Sequence, residues 1–257
     1  MRLIVTRPAA QAAVWVAELR ALGLDAVALP LIDIGPPADA APVLESWRQL
    51  AQFSLAMFVS ANAVQHFFAL ATRPWPDALR AGSTGPGTSA ALRQAGVPAA
   101  AIVEPAAETA RFDSEALWAR LAGEDWAGRR VLVVRGEEGR DWLADTLRER
   151  GAGVTFVAAY QRRPPRLDDA SRALLQQALA EARTHLWLFS SSESVGQLRL
   201  LAPDADWSSG RALASHPRIA QAARAAGFGD VQLLAAPTAA AVAAWVAQGP
   251  SIQSAAS

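Results

Sequence analysis

The sequence contains no cysteine and no lysine, and all 24 of its basic residues are arginine. Without cysteine there can be no disulfide, iron–sulfur cluster or thiolate zinc site. Without lysine there can be no Schiff-base catalysis. The three histidines, His66, His185 and His216, are too scattered to resemble a ligand set, so no metal centre is expected. No apolar run reaches the ~18 residues of a membrane span, and Met1–Pro8 lacks the basic and long apolar regions of a signal peptide. The chain is therefore expected to be soluble and cytoplasmic. The arginines are matched by 24 acidic residues, giving zero formal charge and a pI near 6.9. With no basic excess and no arginine cluster interleaved with aromatics, a nucleic-acid partner is not expected. The absence of lysine and the abundance of alanine read together as the codon usage of a GC-rich genome.

What is present is a repeat. With 257 residues, 52% of them hydrophobic, the chain has room for one large domain or two small ones. Residues 2–37 align without a gap on residues 130–165, pairing Arg7 with Arg135, Leu19 with Leu147, Gly23 with Gly151 and Pro36 with Pro164. Each copy reads as a buried strand, an arginine-bearing turn and a helix, closed by a glycine and followed by a second strand. The helix faces are read from Val14, Leu19 and Leu22 in the first copy and from Trp142, Leu143 and Leu147 in the second. Glu137 and Glu138 read as the solvated first turn of the second helix. The likeness continues from Phe53–Val64 to Thr184–Val195, and from Gly85–Leu92 to His216–Ala223. Alternating strands and helices predict two similar α/β domains with parallel sheets flanked by helices. The proline-rich segments Gly35–Pro42 and Arg163–Leu167 fall inside the repeats, so domains assembled from parts of both copies are expected. The tail Gly249–Ser257 reads as frayed, and no helical stripe requires a dimer, so a monomer is expected.

Several segments could carry chemistry. Gly85–Ala90 fits GxGxxA with Glu104 further on, imitating a dinucleotide fingerprint. The second copy replaces both glycines with His216 and Arg218, which favours a plain strand-to-helix turn or a carboxylate site on a helix N-terminus. The turns Ser60–Asn62 and Ser190–Ser194, with Arg7 and Arg135, leave the carboxyl ends of strands, where parallel α/β sheets bind ligands. Such edges suit an extended polyanion. Tyr160, the only tyrosine, ends the second strand of the second copy. It reads either as a buried structural residue or as a proton donor. His66, beside Phe67, and His185, opening a strand, read as structural. No GxSxG elbow or Ser–His–Asp order is present.

In chain order, Leu3–Ala12 (LIVTRPAAQA), Met57–Val64 (MFVSANAV), Ser83–Val97 (STGPGTSAALRQAGV), Val131–Val154, Ala159–Pro165 (AYQRRPP) and Leu188–Val195 (LFSSSESV) resemble uroporphyrinogen-III synthase. The resemblance implies a lyase without metal or organic cofactor. Its substrate is hydroxymethylbilane, a linear tetrapyrrole polycarboxylate, which it closes with loss of water while inverting ring D. It implies two α/β domains on a two-stranded connection, with the site in the cleft between them and the first domain discontinuous. Here that places domain 1 at residues 1–34 plus 167–257, domain 2 at 38–161 and the connections at 30–38 and 158–167. The family's strand tyrosine falls on Tyr160, the candidate for assisting loss of the hydroxyl. The threonine of its Gly-rich turn falls on Thr88, and its Ser-rich turns fall on Ser60, Asn62 and Ser191. Where many members carry threonines in the last third, this chain has His216 to Ala220, with Arg218 as the substitute carboxylate contact. The alternative from another class is a two-lobed cytoplasmic binding or sensor protein for a small polyanion, without catalysis.

Overall fold

The computed structural model describes residues 1–106, 113–139 and 141–248; the tail Gly249–Ser257 lies outside the described residues. The first copy runs through β1 (Arg2–Val5), α1 (Ala9–Ala21), β2 (Ala26–Ala28), β3 (Asp33–Gly35), α2 (Ala41–Arg48), β4 (Leu55–Phe58), α3 (Ala61–Phe68), β5 (Arg80–Ser83), α4 (Pro86–Gln94), β6 (Ile102–Val103) and α5 (Ser114–Leu121). The second runs through β7 (Arg130–Gly136), α6 (Trp142–Glu149), β8 (Gly153–Arg163), α7 (Asp169–Ala180), β9 (His185–Phe189), α8 (Ser192–Leu201), β10 (Arg211–Ala214), α9 (Pro217–Ala225), β11 (Asp230–Leu233) and α10 (Ala239–Ala247).

The chain divides into two compact units. One is Met1–Asp33 with the chain from Arg163 onward, and the other is Ile34–Arg162. The sheet of the first has the order β11-β10-β9-β1-β2, and that of the second β6-β5-β4-β7-β8-β3. β11 to β2 and β6 to β8 therefore match strand for strand, and every neighbouring pair within those two runs is parallel. Each sheet is stitched from both copies: in the matching five strands, three come from the end of one repeat and two from the start of the other, and β3 of the first copy adds a sixth strand to the second sheet. The strand order reverses between β9 and β1, and again between β4 and β7. In open parallel sheets such a reversal opens a crevice beyond the carboxyl ends of the strands.

Period-two alternation sends side chains to two apolar layers per sheet. In the second unit Leu132, Val134, Ala56 and Phe58 pack with Trp47, Phe67 and Leu92 on one face. Val131, Val133, Leu55 and Met57 pack with Leu117, Leu143 and Leu147 on the other. In the first unit Leu3, Val5, Leu186 and Leu188 face α1 and α10, while Ile4, Trp187 and Phe189 lie with Leu175, Leu198 and Ile219. Gly23 and Gly151 terminate α1 and α6 in the left-handed region, at φ 79° and 86°, as their spacing predicts. His185 is buried at the start of β9, its Nδ1 3.1 Å from the Glu181 carbonyl.

Three apolar residues assigned to helix faces are instead exposed: Val14 at 57%, Leu22 at 50% and Trp142 at 41%. α1 packs through Ala12, Val16 and Leu19. An alanine-rich helix is apolar nearly all round, so its large residues do not mark the buried stripe. Trp142 opens α6, before the helix has turned onto the sheet. Glu137 and Glu138 precede α6 in an exposed bend rather than forming its first turn, which belongs to the capping position of Asp141. Among the described residues no helix is long and apolar enough to cross a membrane.

Candidate functional site

At the strand reversal of the second unit, β4 leads through Val59, whose N–H donates to the Val134 carbonyl at 3.2 Å, into Ser60. Ser60 is extended and caps α3, its Oγ accepting from the Ala63 N–H at 3.2 Å. The same hydroxyl faces the Tyr160 phenol at 3.4 Å, a long contact in which Ser60 donates. The phenolic proton is thereby left for another acceptor.

Tyr160 is 4% exposed and belongs to the layer beneath α3. A regular ladder would not put it there. Arg135 pairs with Ala158, but Gly136 pairs with Tyr160, so Ala159 is the extra residue of a bulge. Val157 and Ala159 already point into the α3 layer, and continued alternation would turn Tyr160 to the opposite face. The bulge brings it back to the α3 face, as bulges near active sites commonly re-aim a side chain.

The His66 ring, on α3, stacks on Tyr160 with centroids 6.1 Å apart and planes at 27°. Reading His66 as merely structural misses this neighbour, because nothing in the spacing of α3 shows which strand its histidine meets. Burial pushes the His66 imidazole below its ordinary 6.5. As the pH falls through that range the unfolded chain binds more protons than the folded one, so stability is lost on acidification. From about pH 7 to about pH 5 the native protein is expected to lose more stability than a His66→Gln variant. Urea unfolding at several pH values checks this, and parallel curves would show that His66 contributes nothing to the acid limb.

Around this pair, Asn62 lies half-buried in the first turn of α3. Thr88, in the first turn of α4, is 6% exposed, and its N–H donates to the Gly85 carbonyl at 3.0 Å. The turn before it is tied by its own hydroxyls: Ser83 Oγ donates to the Gly85 carbonyl at 2.8 Å, and Ser89 Oγ donates to Ser83 Oγ at 2.9 Å. Glu104, the residue a dinucleotide fingerprint would need for a ribose, is held by Arg93 at 2.8 Å. The Gly-rich segment is thus a self-bonded strand-to-helix turn. Arg135 directs its guanidinium to other partners, stacked 4.2 Å over Phe156 and paired with Asp141.

In the first unit, Thr6 ends β1 by donating its hydroxyl to the Leu188 carbonyl at 2.8 Å. Arg7 follows, 4.4 Å over the Trp15 ring. Burial lowers its pKa, partly offset by Glu18, but a guanidinium stays charged. Among the described residues it has no hydrogen-bond partner. On the neighbouring strand, Ser191 caps α8, accepting from the Glu193 N–H at 3.1 Å. One strand further, the His216 Nδ1 accepts from the Arg218 N–H at 3.2 Å, so the imidazole stands in for a Ser or Thr cap. The Arg218 side chain is exposed. Of the sequence-predicted residues, Ser60 and Tyr160 are brought into contact; Asn62 and Thr88 stand in the first turns of α3 and α4, and Arg7, Ser191 and Arg218 follow the neighbouring strands β1, β9 and β10 without touching one another. Among the described residues no group of three or more His, Cys, Asp or Glu could hold a metal ion.

The family model described as uroporphyrinogen-III synthase HemD matches residues 13–244. The uroporphyrinogen-III synthase of Escherichia coli K12 is 31% identical over 240 residues, covering 91% of this chain and 94% of its own. That of Synechococcus elongatus is 34% identical over 225 residues, covering 83% and 81%. Among solved structures, uroporphyrinogen-III synthetase from Helicobacter pylori 26695 superposes with a TM-score of 0.57 at 17% identity, over 96% of this chain and 99% of that one. A mutant uroporphyrinogen III synthase from Thermus thermophilus gives 0.54 at 18%, over 96% and 98%. At these identities the structures establish the shared fold, while the family model and the curated relatives establish the lineage: the chain belongs to the uroporphyrinogen-III synthase family.

Proposed function

We propose that this protein cyclises hydroxymethylbilane, with loss of water and inversion of ring D, to uroporphyrinogen III. The observation that carries the proposal is the family match across residues 13–244. It leaves the non-catalytic polyanion binder without an observation in its favour.

The bilane closes unaided, but without inversion, to the type I isomer. The protein must therefore hold the chain folded so that the cationic carbon of ring A meets the substituted carbon of ring D. The resulting spiro intermediate fragments and recloses with ring D turned over. Orientation of this kind is worth about 7–11 kcal/mol. The chemistry needs no strong nucleophile, which suits a site of hydroxyls and one phenol. In this reading Tyr160 donates its proton to the departing hydroxyl, which leaves as water. The phenolate regains a proton when the closing pyrrole carbon sheds its hydrogen. Ser60, donating to the phenolic oxygen, leaves the phenolic proton free for that transfer and stabilises the phenolate.

Arg7 and Arg218 bind substrate carboxylates, aided by the helix N-termini at Ser60, Asn62, Thr88 and Ser191. Arg135, engaged by Asp141, contributes only if that pair opens. The working domains are residues 1–34 with 167–257 and residues 38–161, connected through 30–38 and 158–167. The protein acts as a cytoplasmic monomer without nucleic-acid or membrane partners, as its zero net charge suits.

Supplying purified protein with fresh hydroxymethylbilane, then oxidising and separating the porphyrin isomers, tests the proposal. Mostly type III product is expected; type I alone from folded protein overturns it. Arg7→Ala is expected to raise KM about tenfold, the loss of one charge-assisted contact. Arg218→Ala, at a more exposed position, is expected to raise it about two- to threefold. An unchanged KM in either variant removes that arginine from the binding site.

A further inference from the structure

Two features of the sheet deliver the Tyr160 phenol to Ser60. One is the bulge, which sets Tyr160 across from Gly136. The other is the lack of a side chain at Gly136. A Cβ at that position would lie 3.0 Å from Tyr160 Cζ, 3.1 Å from Cε2 and 3.3 Å from the phenolic oxygen. Carbon atoms in van der Waals contact stay about 3.5–4.0 Å apart, so the ring and a methyl group cannot both occupy these places. The backbone itself does not require glycine here: the left-handed glycines of the described residues are Gly23, Gly96, Gly128, Gly151 and Gly227. The first copy carries Pro8 at the matching position and has no tyrosine in its second strand.

We infer that Gly136 is a positioning residue for the reaction: its bare backbone is the seat on which the Tyr160 ring rests with its hydroxyl at Ser60. The inference rests on the reading of Tyr160 as the proton donor and adds the group that fixes where that donor stands. A methyl group at residue 136 pushes against the hydroxyl-bearing end of the ring, while the neighbouring His66 ring limits where it can go. The phenol is then misplaced by some tenths of an ångström with its chemistry intact.

The test is Gly136→Ala assayed for type III product, alone and in the Tyr160→Phe background. A misplaced catalytic group costs about 10–100-fold in kcat, with KM within about a factor of two. In the Tyr160→Phe background the same substitution is expected to change kcat by less than about twofold, since no hydroxyl is left to misplace. Gly82→Ala, in the same sheet, is the control: the nearest atoms to its Cβ would be those of the Leu117 and Leu55 side chains at 3.3 and 3.5 Å and the Met57 backbone at 3.6 Å. It should leave kcat unchanged. Because Tyr160 is the only tyrosine, protein labelled with 3-fluorotyrosine gives one ¹⁹F resonance, which Gly136→Ala should shift and Gly82→Ala should not.

A folded Gly136→Ala protein with native kcat, or one that slows Tyr160→Phe just as much, overturns the inference. If Gly136→Ala does not fold, Tyr160→Leu is combined with it. Recovery of folding in the double variant supports the seat, and no recovery overturns it. A native rate in Tyr160→Phe overturns the reading of Tyr160 and this inference together. A slow Tyr160→Phe beside a normal Gly136→Ala overturns the inference alone.

Discussion

Tyr160→Phe is expected to lower kcat about 100-fold or more while KM stays within about a factor of two, as removal of a general acid does. The ring lies in the apolar layer under α3 and keeps its packing, so the fold survives. The one hydrogen bond that the substitution removes is long, at 3.4 Å, and its net worth is at the low end of about 0.5–1.5 kcal/mol. A second readout comes from the substrate. Since the bilane closes by itself to the type I isomer, a slow enzyme yields to the background and the fraction of type III product falls. Steady-state kinetics with isomer analysis checks both; a native rate and native isomer ratio would remove Tyr160 from the mechanism.

The other large effect is expected in the packing beneath that site. Trp47 is fully buried on α2, and its indole N–H donates to the Phe67 carbonyl at 2.9 Å. Its ring stacks on Phe67 at 4.8 Å and meets Phe68 edge-on at 5.3 Å. Trp47→Ala opens a cavity and removes one of the two hydrogen bonds to the Phe67 carbonyl, which keeps the Leu70 N–H at 3.3 Å; the loss should destabilise the second unit by about 3–5 kcal/mol. The same helix carries His66 and is capped by Ser60, so specific activity should fall even where the variant is still folded. Calorimetric unfolding is the measurement. A transition within about 2 °C of the native one would mean that the layer under α3 repacks around the loss.

Much of the architecture is readable because the chain carries it twice. A strand, an arginine turn, a helix and a terminating glycine at fixed spacing leave few alternatives to a duplicated α/β unit, and the serine turns emerge as the caps of α3 and α8. The site is readable only as residue types near strand ends. Where Tyr160 points depends on one extra residue in β8, and pairing register across a sheet leaves no local trace in sequence. His66 and Tyr160 meet although they stand far apart along the chain, on a helix and a strand separated by several other elements. Arg7 and Arg135, equivalent in the repeat, have diverged: one rests on Trp15, while the other is held between Phe156 and Asp141. The buried face of α1 escapes a reading based on large apolar residues because alanine carries part of its contacts.

The stitching of each sheet from both copies also sets a timetable. β1 lies between β2 and β9, with Arg2 in register with His185, so its second neighbour is among the last strands to be made. Ribosomes add about 5–20 residues per second, so β1 waits roughly 10–35 s after emerging for β9 to follow it. The unit Ile34–Arg162 is contiguous and is complete before β9 is made. Throughout that interval Leu3, Ile4 and Val5, which end up in the middle of a sheet, form an open hydrophobic edge, the kind of surface that invites pairing between nascent chains. Slower translation would lengthen this exposure without altering a single contact of the finished protein.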